Sequence, residues 1–224
     1  SLSHGLTVEV KARSHLREAA EAALAEGAVR HVTLTVGTTG TPDKGALFLA
    51  EAVRGVRDVS GIPIHVQLEP VEKKYLIALR DTGADTVGIH AESFDKKVLA
   101  RVCPAKSKVE DFLEAWRTAV GIFGENQVSS YIIAGLGESD ESIIDGAKTL
   151  SDIGVIPYLV PVRPTSGTPL EKLRPPAPLR MARLYTQVAK VMRDRGVVPT
   201  RNKAGCVRCG ACSALSEFYQ SPHS

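Results

Sequence analysis

The sequence predicts an α/β protein folded as a partial (β/α)6 barrel of the TIM type, with parallel strands inside and helices outside. Three observations carry that expectation. Apolar, β-rich runs alternate five times with helical runs across short connections, the pattern of a parallel sheet covered by helices. Glycine closes a helix just before several strands, in Gly27-Ala28-Val29, Gly83-Ala84-Asp85 and Gly154-Val155. Small or polar residues then follow nearly every strand, at Thr38-Thr39, Glu69, His90, Glu92-Ser93, Gly135 and Arg163. A doubly wound open sheet, the rival architecture, would gather such groups at one switch point, whereas a barrel spreads them around its rim.

Taken in order, residues 7–11 alternate as a short strand or an ordered connection. Residues 14–26 read as a helix, with Ser14 as N-cap and Gly27 as its stop. A strand over 31–36 runs into Gly37-Thr38-Thr39-Gly40, and a helix spans 45–56. The strand 64–68 ends at Glu69-Pro70, followed by a helix over 71–81 and a strand over 84–89 that ends at His90-Ala91-Glu92-Ser93. Helices over 94–102 and 108–123 are split at Cys103-Pro104. The strand 128–133 breaks into Ala134-Gly135-Leu136-Gly137-Glu138, where glycine lets the backbone turn sharply and approach a planar or anionic group. A helix over 141–153, a strand over 155–162 ending at Arg163, a proline-rich loop over 170–178 and a helix over 179–195 complete the alternation. Residues 1–196 are expected to form the barrel domain and 197–224 a cysteine-rich tail with little periodicity.

Composition excludes several classes. The chain has 224 residues, 43% hydrophobic and 24% charged, enough for one well-buried domain and short for a full eightfold barrel. A net charge of +3 without a lysine or arginine stripe gives no electrostatic footprint for nucleic acid. No apolar run reaches membrane-spanning length and no signal-peptide pattern opens the chain, so a cytoplasmic protein with no membrane partner is expected.

Two constellations carry chemistry. Cys206, Cys209 and Cys212 form a C-x2-C-x2-C trio flanked by Gly205 and Gly210, and three thiolates within seven residues repel unless a metal stabilises them. The spacing suits an iron–sulfur cluster; zinc competes, with no fourth ligand evident unless Cys103 supplies it. The strand ends form the second set. The turn at Thr38 and Thr39 suits an amino group or a carboxylate, Glu92 can bridge two hydroxyls, and Arg163 can clamp a carboxylate in bidentate fashion.

These residues resemble the radical S-adenosylmethionine (SAM) superfamily, in its biotin-synthase-like branch, over about residues 32–170. Ile133-x-Gly135-x-x-Glu138 is similar to the adenine-contacting turn of that superfamily, Gly37-Thr38-Thr39 to its methionine-amino-binding turn, and Glu92-Ser93 to its ribose-binding strand end. The segment from Arg163 to Leu170 resembles the sixth-strand region of the branch. More narrowly, His90-Ala91-Glu92-Ser93, Tyr131 to Glu138, Val160 to Pro164 and Ala204 to Leu215 resemble a radical SAM family found with nitrilase-associated gene clusters.

The resemblance implies SAM bound by Thr38, Thr39, His90, Glu92, Ser93, Ile133, Gly135, Gly137, Glu138 and Arg163, and a catalytic [4Fe-4S] cluster that cleaves SAM for 5′-deoxyadenosyl-radical chemistry on a small-molecule substrate. It also implies a reducing partner such as flavodoxin or ferredoxin. Three departures stand out. Tyr131 occupies a position where the superfamily's motif begins with glycine, the amino-binding turn lacks its acidic residue, and no C-x3-C-x2-C loop occurs. The chain is therefore expected to be a fragment that begins after that loop and does not cleave SAM alone. Cys206, Cys209 and Cys212 would then hold an auxiliary cluster. Two other classes remain open: an aldolase-like barrel with a zinc-binding tail, in which Lys106 is the only tempting amine, and a non-enzymatic iron–sulfur electron carrier.

Overall fold

A computed structural model describes residues 10–106 and 109–221. Five strands, β1 (Val32–Thr35), β2 (Ile64–Gln67), β3 (Thr86–Gly88), β4 (Val128–Ala134) and β5 (Ile156–Pro161), pair in chain order, every pair parallel. Sequential order is what successive β/α units of a barrel produce. A doubly wound sheet must reverse direction from its first strand, and this one does not. The fold is thus the partial barrel expected.

The helices are α1 (Arg13–Ala25), α2 (Ala46–Arg57), α3 (Lys73–Asp81), α4 (Lys96–Val102), α5 (Val109–Phe123), α6 (Asp140–Ser151) and α7 (Pro178–Asp194). One expected start signal differs in detail. Ser14 lies inside α1, whose N-cap is Ala12 and makes no side-chain cap bond, while α6 is capped by Ser139, which accepts from the Ser142 amide. The strand read over residues 7–11 falls mostly outside the described residues, and Val10 and Lys11 are not in a strand.

The two faces of the sheet have opposite chemistry. One set of alternating positions (Ile64, Val66, Val87, Ile89, Val128, Ile132) is apolar and buried in the main core beneath the helices, Ser130 being its polar exception. Burying each such side chain contributes roughly 1.5–3 kcal/mol. Trp116 of α5 fastens this layer by donating its indole N–H to the Ile89 carbonyl at 2.8 Å. The register places the other set side by side: Thr33 beside His65 beside Thr86, Thr35 beside Gln67 beside Gly88, Tyr131 beside Tyr158, Ile133 beside Val160. That set is largely polar. A polar inner face needs partners, and the chain's own C-terminal segment supplies several of them.

The tail is more ordered than its sequence pattern suggested. After a 3-10 turn at Pro199–Arg201 come α8 (Cys206–Cys209) and α9 (Leu215–Gln220), each too short to show helical periodicity. Gln127, just before β4, clasps the entering strand: its amide donates to Arg201 O at 3.0 Å and its carbonyl accepts from Lys203 N at 3.2 Å. Asn202 donates to Asn126 O at 2.7 Å. Ala204 O then accepts from Thr86 Oγ1, and Gly205 lies on His65. Val207 and Leu215 join the main core. The segment therefore climbs the inner face from the amino ends of the strands toward their middle.

Candidate functional site

At the carboxyl ends of β4 and β5 a cavity of about 330 Å³ opens, within the size range of small-molecule pockets. Its walls are mostly apolar, with Val102, Ile133, Leu136, Val162 and Leu170 among them, and its chemistry comes from Glu92, Arg163, Tyr131, Cys103 and Cys212. Four of the residues singled out from the sequence, Glu92, Ile133, Arg163 and Cys212, thus share one pocket.

Glu92 sits at φ 69°, a left-handed conformation that costs a non-glycine residue energy and persists only where the surroundings enforce it. Its backbone carbonyl accepts from Ile133 N at 2.8 Å in an isolated parallel bridge to β4. The residue is not the cap of the helix behind it, because Asp95 performs that task for α4 through Lys97 N and Val98 N. The Glu92 carboxylate instead meets Lys106 Nζ at 2.9 Å, and Lys106 also reaches Glu69 Oε1 at 3.3 Å and His90 O at 3.0 Å. Burial works against the ammonium charge, yet the two carboxylates outweigh it and hold Lys106 above the ordinary lysine value. In the sequence Lys106 follows Pro104-Ala105 between two helices and not at a strand end. The fold returns that break to the pocket rim, which no local pattern signals.

The glycine turn after β4 is stapled by its own acid. Glu138 accepts from Gly135 N at 2.8 Å and from Leu136 N at 2.7 Å, and pairs with Arg180 at 3.1 Å. Its side chain is 1% exposed, so this carboxylate shapes the turn and does not line the pocket. Gly135 has φ 103°, and a Cβ there would meet Val162 Cγ1 at 2.8 Å and Pro176 Cδ at 2.9 Å. Gly137 follows it in the turn, beside the Arg101 guanidinium. His90 is half-buried and stacked on Tyr131, ring centroids 4.0 Å apart; its Nδ1 accepts from Tyr131 N and its buried Nε2 has no partner. Ser93 is buried and accepts from Asp95 N. Thr38 and Thr39 lie in the exposed loop after β1, where Thr39 bonds Thr41, and neither lines the pocket.

The cysteine trio takes three directions. Cys206 turns inward, its sulfur 2.7 Å from the Tyr131 hydroxyl and 4.0 Å from Gln67 Nε2. Cys209 is exposed, and Cys212 lines the pocket. Among the described residues no three His, Cys, Asp or Glu side chains stand together as a metal cage. All three thiols are free. Cys103, half-buried on the pocket wall, has its thiol pushed up by burial and then by Glu92, which keeps it protonated and unreactive.

Beneath the pocket lies a histidine group of which the sequence reading singled out only His90. Counting the alternate positions of β2 and β3 would have found His65, Gln67 and Thr86 on one face. His65 is 1% exposed, its Nδ1 is 2.6 Å from Thr86 Oγ1, and burial followed by the neighbouring His31 lowers its pKa to about 3. His90 is also lowered well below the usual value, by burial, His65 and Lys106. His65 is thus neutral in the fold, and the unfolded chain takes up its proton first as pH falls. Its contribution to stability is complete above pH 6.5 and declines from there down to about pH 3. We expect urea unfolding at pH 5 to show a stability about 1.5 kcal/mol below that at pH 6.5 from His65 alone, with His65→Gln flattening the slope.

Parallel strands in sequential order, with a carboxylate, a cation and a glycine turn gathered at their carboxyl ends, define a partial β/α barrel with a pocket at its mouth. The chain belongs to the radical SAM superfamily, whose family model matches residues 3–150. That superfamily binds SAM and a [4Fe-4S] cluster. Biotin synthase of Persephonella marina is 26% identical over 185 residues, covering 78% of this chain and 51% of that protein. Biotin synthase of Streptomyces avermitilis is 28% identical over 183 residues, covering 79% and 45%. The chain spans about half the length of the curated relatives it matches. Among solved structures, methylornithine synthase superposes with a TM-score of 0.62 at 22% identity, over 81% of this chain and 52% of that one. HydG, a maturase of the [FeFe]-hydrogenase, gives 0.65 at 14% identity, over 85% and 44%. Both agree with the barrel fold. Among the described residues no helix is long and apolar enough to cross a membrane.

Proposed function

We propose that this chain is the SAM-holding barrel of a radical SAM enzyme acting on a small molecule with electrons from a one-electron donor such as flavodoxin or ferredoxin. The observation that carries the reading is the joint placement of Glu92, Ile133 and Arg163 around one apolar pocket at the strand ends. When bound, SAM and a [4Fe-4S] cluster supply hydrogen-abstraction chemistry that no side chain offers. Glu92 accepts from the ribose hydroxyls, and Arg163 clamps the methionine carboxylate. Ile133, Leu136 and Val162 enclose the adenine beside the Gly135–Gly137 turn, which Glu138 holds in shape. Thr38 and Thr39 flank the amino group from the first loop. His90 and Ser93 set the strand end that carries Glu92, His90 by its stack on Tyr131 and Ser93 through Asp95 N. The apolar walls exclude water from the reacting atoms.

Lys106 argues against an aldolase-like barrel. A Schiff-base lysine needs its pKa depressed, and here Glu92 and Glu69 raise it.

The test is a SAM titration by calorimetry on wild type and Glu92→Ala. Losing hydrogen bonds to a charged acceptor removes roughly 1.5–3 kcal/mol, an affinity loss of about 10- to 150-fold, with the urea midpoint little changed because Lys106 keeps Glu69. Equal SAM affinity in the two proteins would remove Glu92 from the site, and a wild type that does not bind SAM would sink the reading.

A further inference from the structure

Lys106 ends the 3-10 turn Pro104–Lys106, away from every strand, yet its ammonium group is fully engaged at the pocket rim. It donates to Glu92 Oε1 at 2.9 Å and to His90 O at 3.0 Å, and it meets Glu69 Oε1 at 3.3 Å. An ammonium carries three N–H groups, so these three acceptors occupy all of it. The Lys106 side chain is 20% exposed, and those of Glu92 and Glu69 are 16% and 23% exposed, which limits competition from water. Of the two carboxylates, Glu92 lines the pocket and Glu69 does not.

Lys106 holds the Glu92 segment at two points, the carboxylate itself and the carbonyl two residues earlier. Between them the backbone arrives at Glu92 with φ 69°, a conformation that persists only where its surroundings enforce it. Ile133 N fixes the same residue from β4, donating to Glu92 O at 2.8 Å. Glu92 Oε1 is thus anchored to Lys106, while Oε2 takes no protein donor among the described residues. Without the cation, two like charges would face each other, because both carboxylates sit on one nitrogen, at 2.9 and 3.3 Å.

We propose that Lys106 is a positioning residue: by anchoring Oε1 it aims the Glu92 carboxylate into the pocket as the acceptor that selects a nucleoside with ribose hydroxyls over one without them. The inference rests on the reading of Glu92 as the ribose acceptor of a SAM site. A half-buried acceptor held in place rejects a ligand that leaves it unpaired. An unanchored carboxylate swings away from Glu69, must be ordered again on binding, and discriminates poorly.

The experiment compares the full chain with Lys106→Met, Glu92→Ala and the double variant Lys106→Met/Glu69→Gln. Binding of adenosine and of 2′,3′-dideoxyadenosine is titrated by ligand-observed NMR, which reads weak affinities, and urea unfolding is run alongside. Wild type is expected to favour adenosine by at least about tenfold, the worth of one hydrogen bond to a charged group. Lys106→Met should lose most of that ratio while binding dideoxyadenosine as wild type does. A residue needed for packing alone would weaken both nucleosides alike and keep the ratio, which overturns the inference. The double variant lacks the two facing carboxylates that Lys106→Met leaves behind, so it carries the test where the single variant does not fold. A ratio preserved in the double variant shows that Lys106 only neutralises Glu69, and failure of both variants to fold assigns it to the fold; either overturns the inference and leaves Glu92 in the site. Discrimination that is absent from wild type, or that survives Glu92→Ala, overturns the ribose reading and the inference with it.

Discussion

Gly205→Ala is expected to unseat the C-terminal segment and destabilise the protein by about 4 kcal/mol. Gly205 has φ 87° and ψ −166°, a conformation essentially reserved to glycine, which costs other residues of order 1–3 kcal/mol. An added Cβ would also lie 2.6 Å from His65 Cδ2 and 2.8 Å from its Nδ1. His65 cannot swing away, because it is buried and bonded to Thr86. Overpacking of that kind adds about 1–3 kcal/mol. Cys206 is the next residue, so its sulfur leaves Tyr131 when Gly205 lifts. Trypsin then finds Arg201 and Lys203, which are held in the native fold by Gln127. The control is Gly210→Ala: φ is 72° there too, but a Cβ meets nothing within 4 Å, so only the backbone cost of about 1–2 kcal/mol applies. Urea unfolding and limited proteolysis of both variants check this. Equal effects would show that the contact with His65 is not what matters.

That the tail lies inside the barrel was not legible in the sequence, and the reason is physical. Alternation in the strands announces two faces, and glycine before a strand announces a helix stop. These are local signals, and they predicted the parallel sheet and the residues at its carboxyl ends. Docking of the tail depends on contacts across long stretches of chain, such as Gly205 with His31 and His65 or Ser213 with Leu159, and leaves no periodic mark in either partner. The ion pairs of Lys106 escaped for the same reason, since Glu92 lies 14 residues upstream and Glu69 in the preceding β/α unit. The polar inner positions were legible in principle. His65, Gln67 and Thr86 break an otherwise apolar strand pattern, and a buried polar face calls for a polar partner. Glu138 shows the converse: its place in the motif was clear from sequence, whereas its work, closing the turn, emerged only from the bonds it makes.

Glu138→Ala should therefore act on stability first and on ligand affinity only as a consequence. The carboxylate accepts two backbone N–H groups, at Gly135 and Leu136, and hydrogen bonds to a charged group are worth about 1.5–3 kcal/mol each. Alanine leaves both donors without that acceptor, and Leu136 is buried, where water cannot substitute. Arg180 loses one carboxylate but keeps Asp140 at 2.7 Å and is itself about a quarter exposed, so its share of the loss is small. The sum is a destabilisation of about 3–6 kcal/mol, read as a lowered urea midpoint with no SAM present. Asp140→Ala supplies the comparison: it removes the more exposed partner of Arg180 and leaves the turn intact, at a cost of about 1 kcal/mol or less. At temperatures where Glu138→Ala remains folded, the Gly135–Gly137 turn relaxes from the shape that encloses the pocket, and SAM affinity falls with it. Were Glu138 instead a direct ligand contact, the substitution would leave the ligand-free unfolding curve where it was and change only the SAM titration.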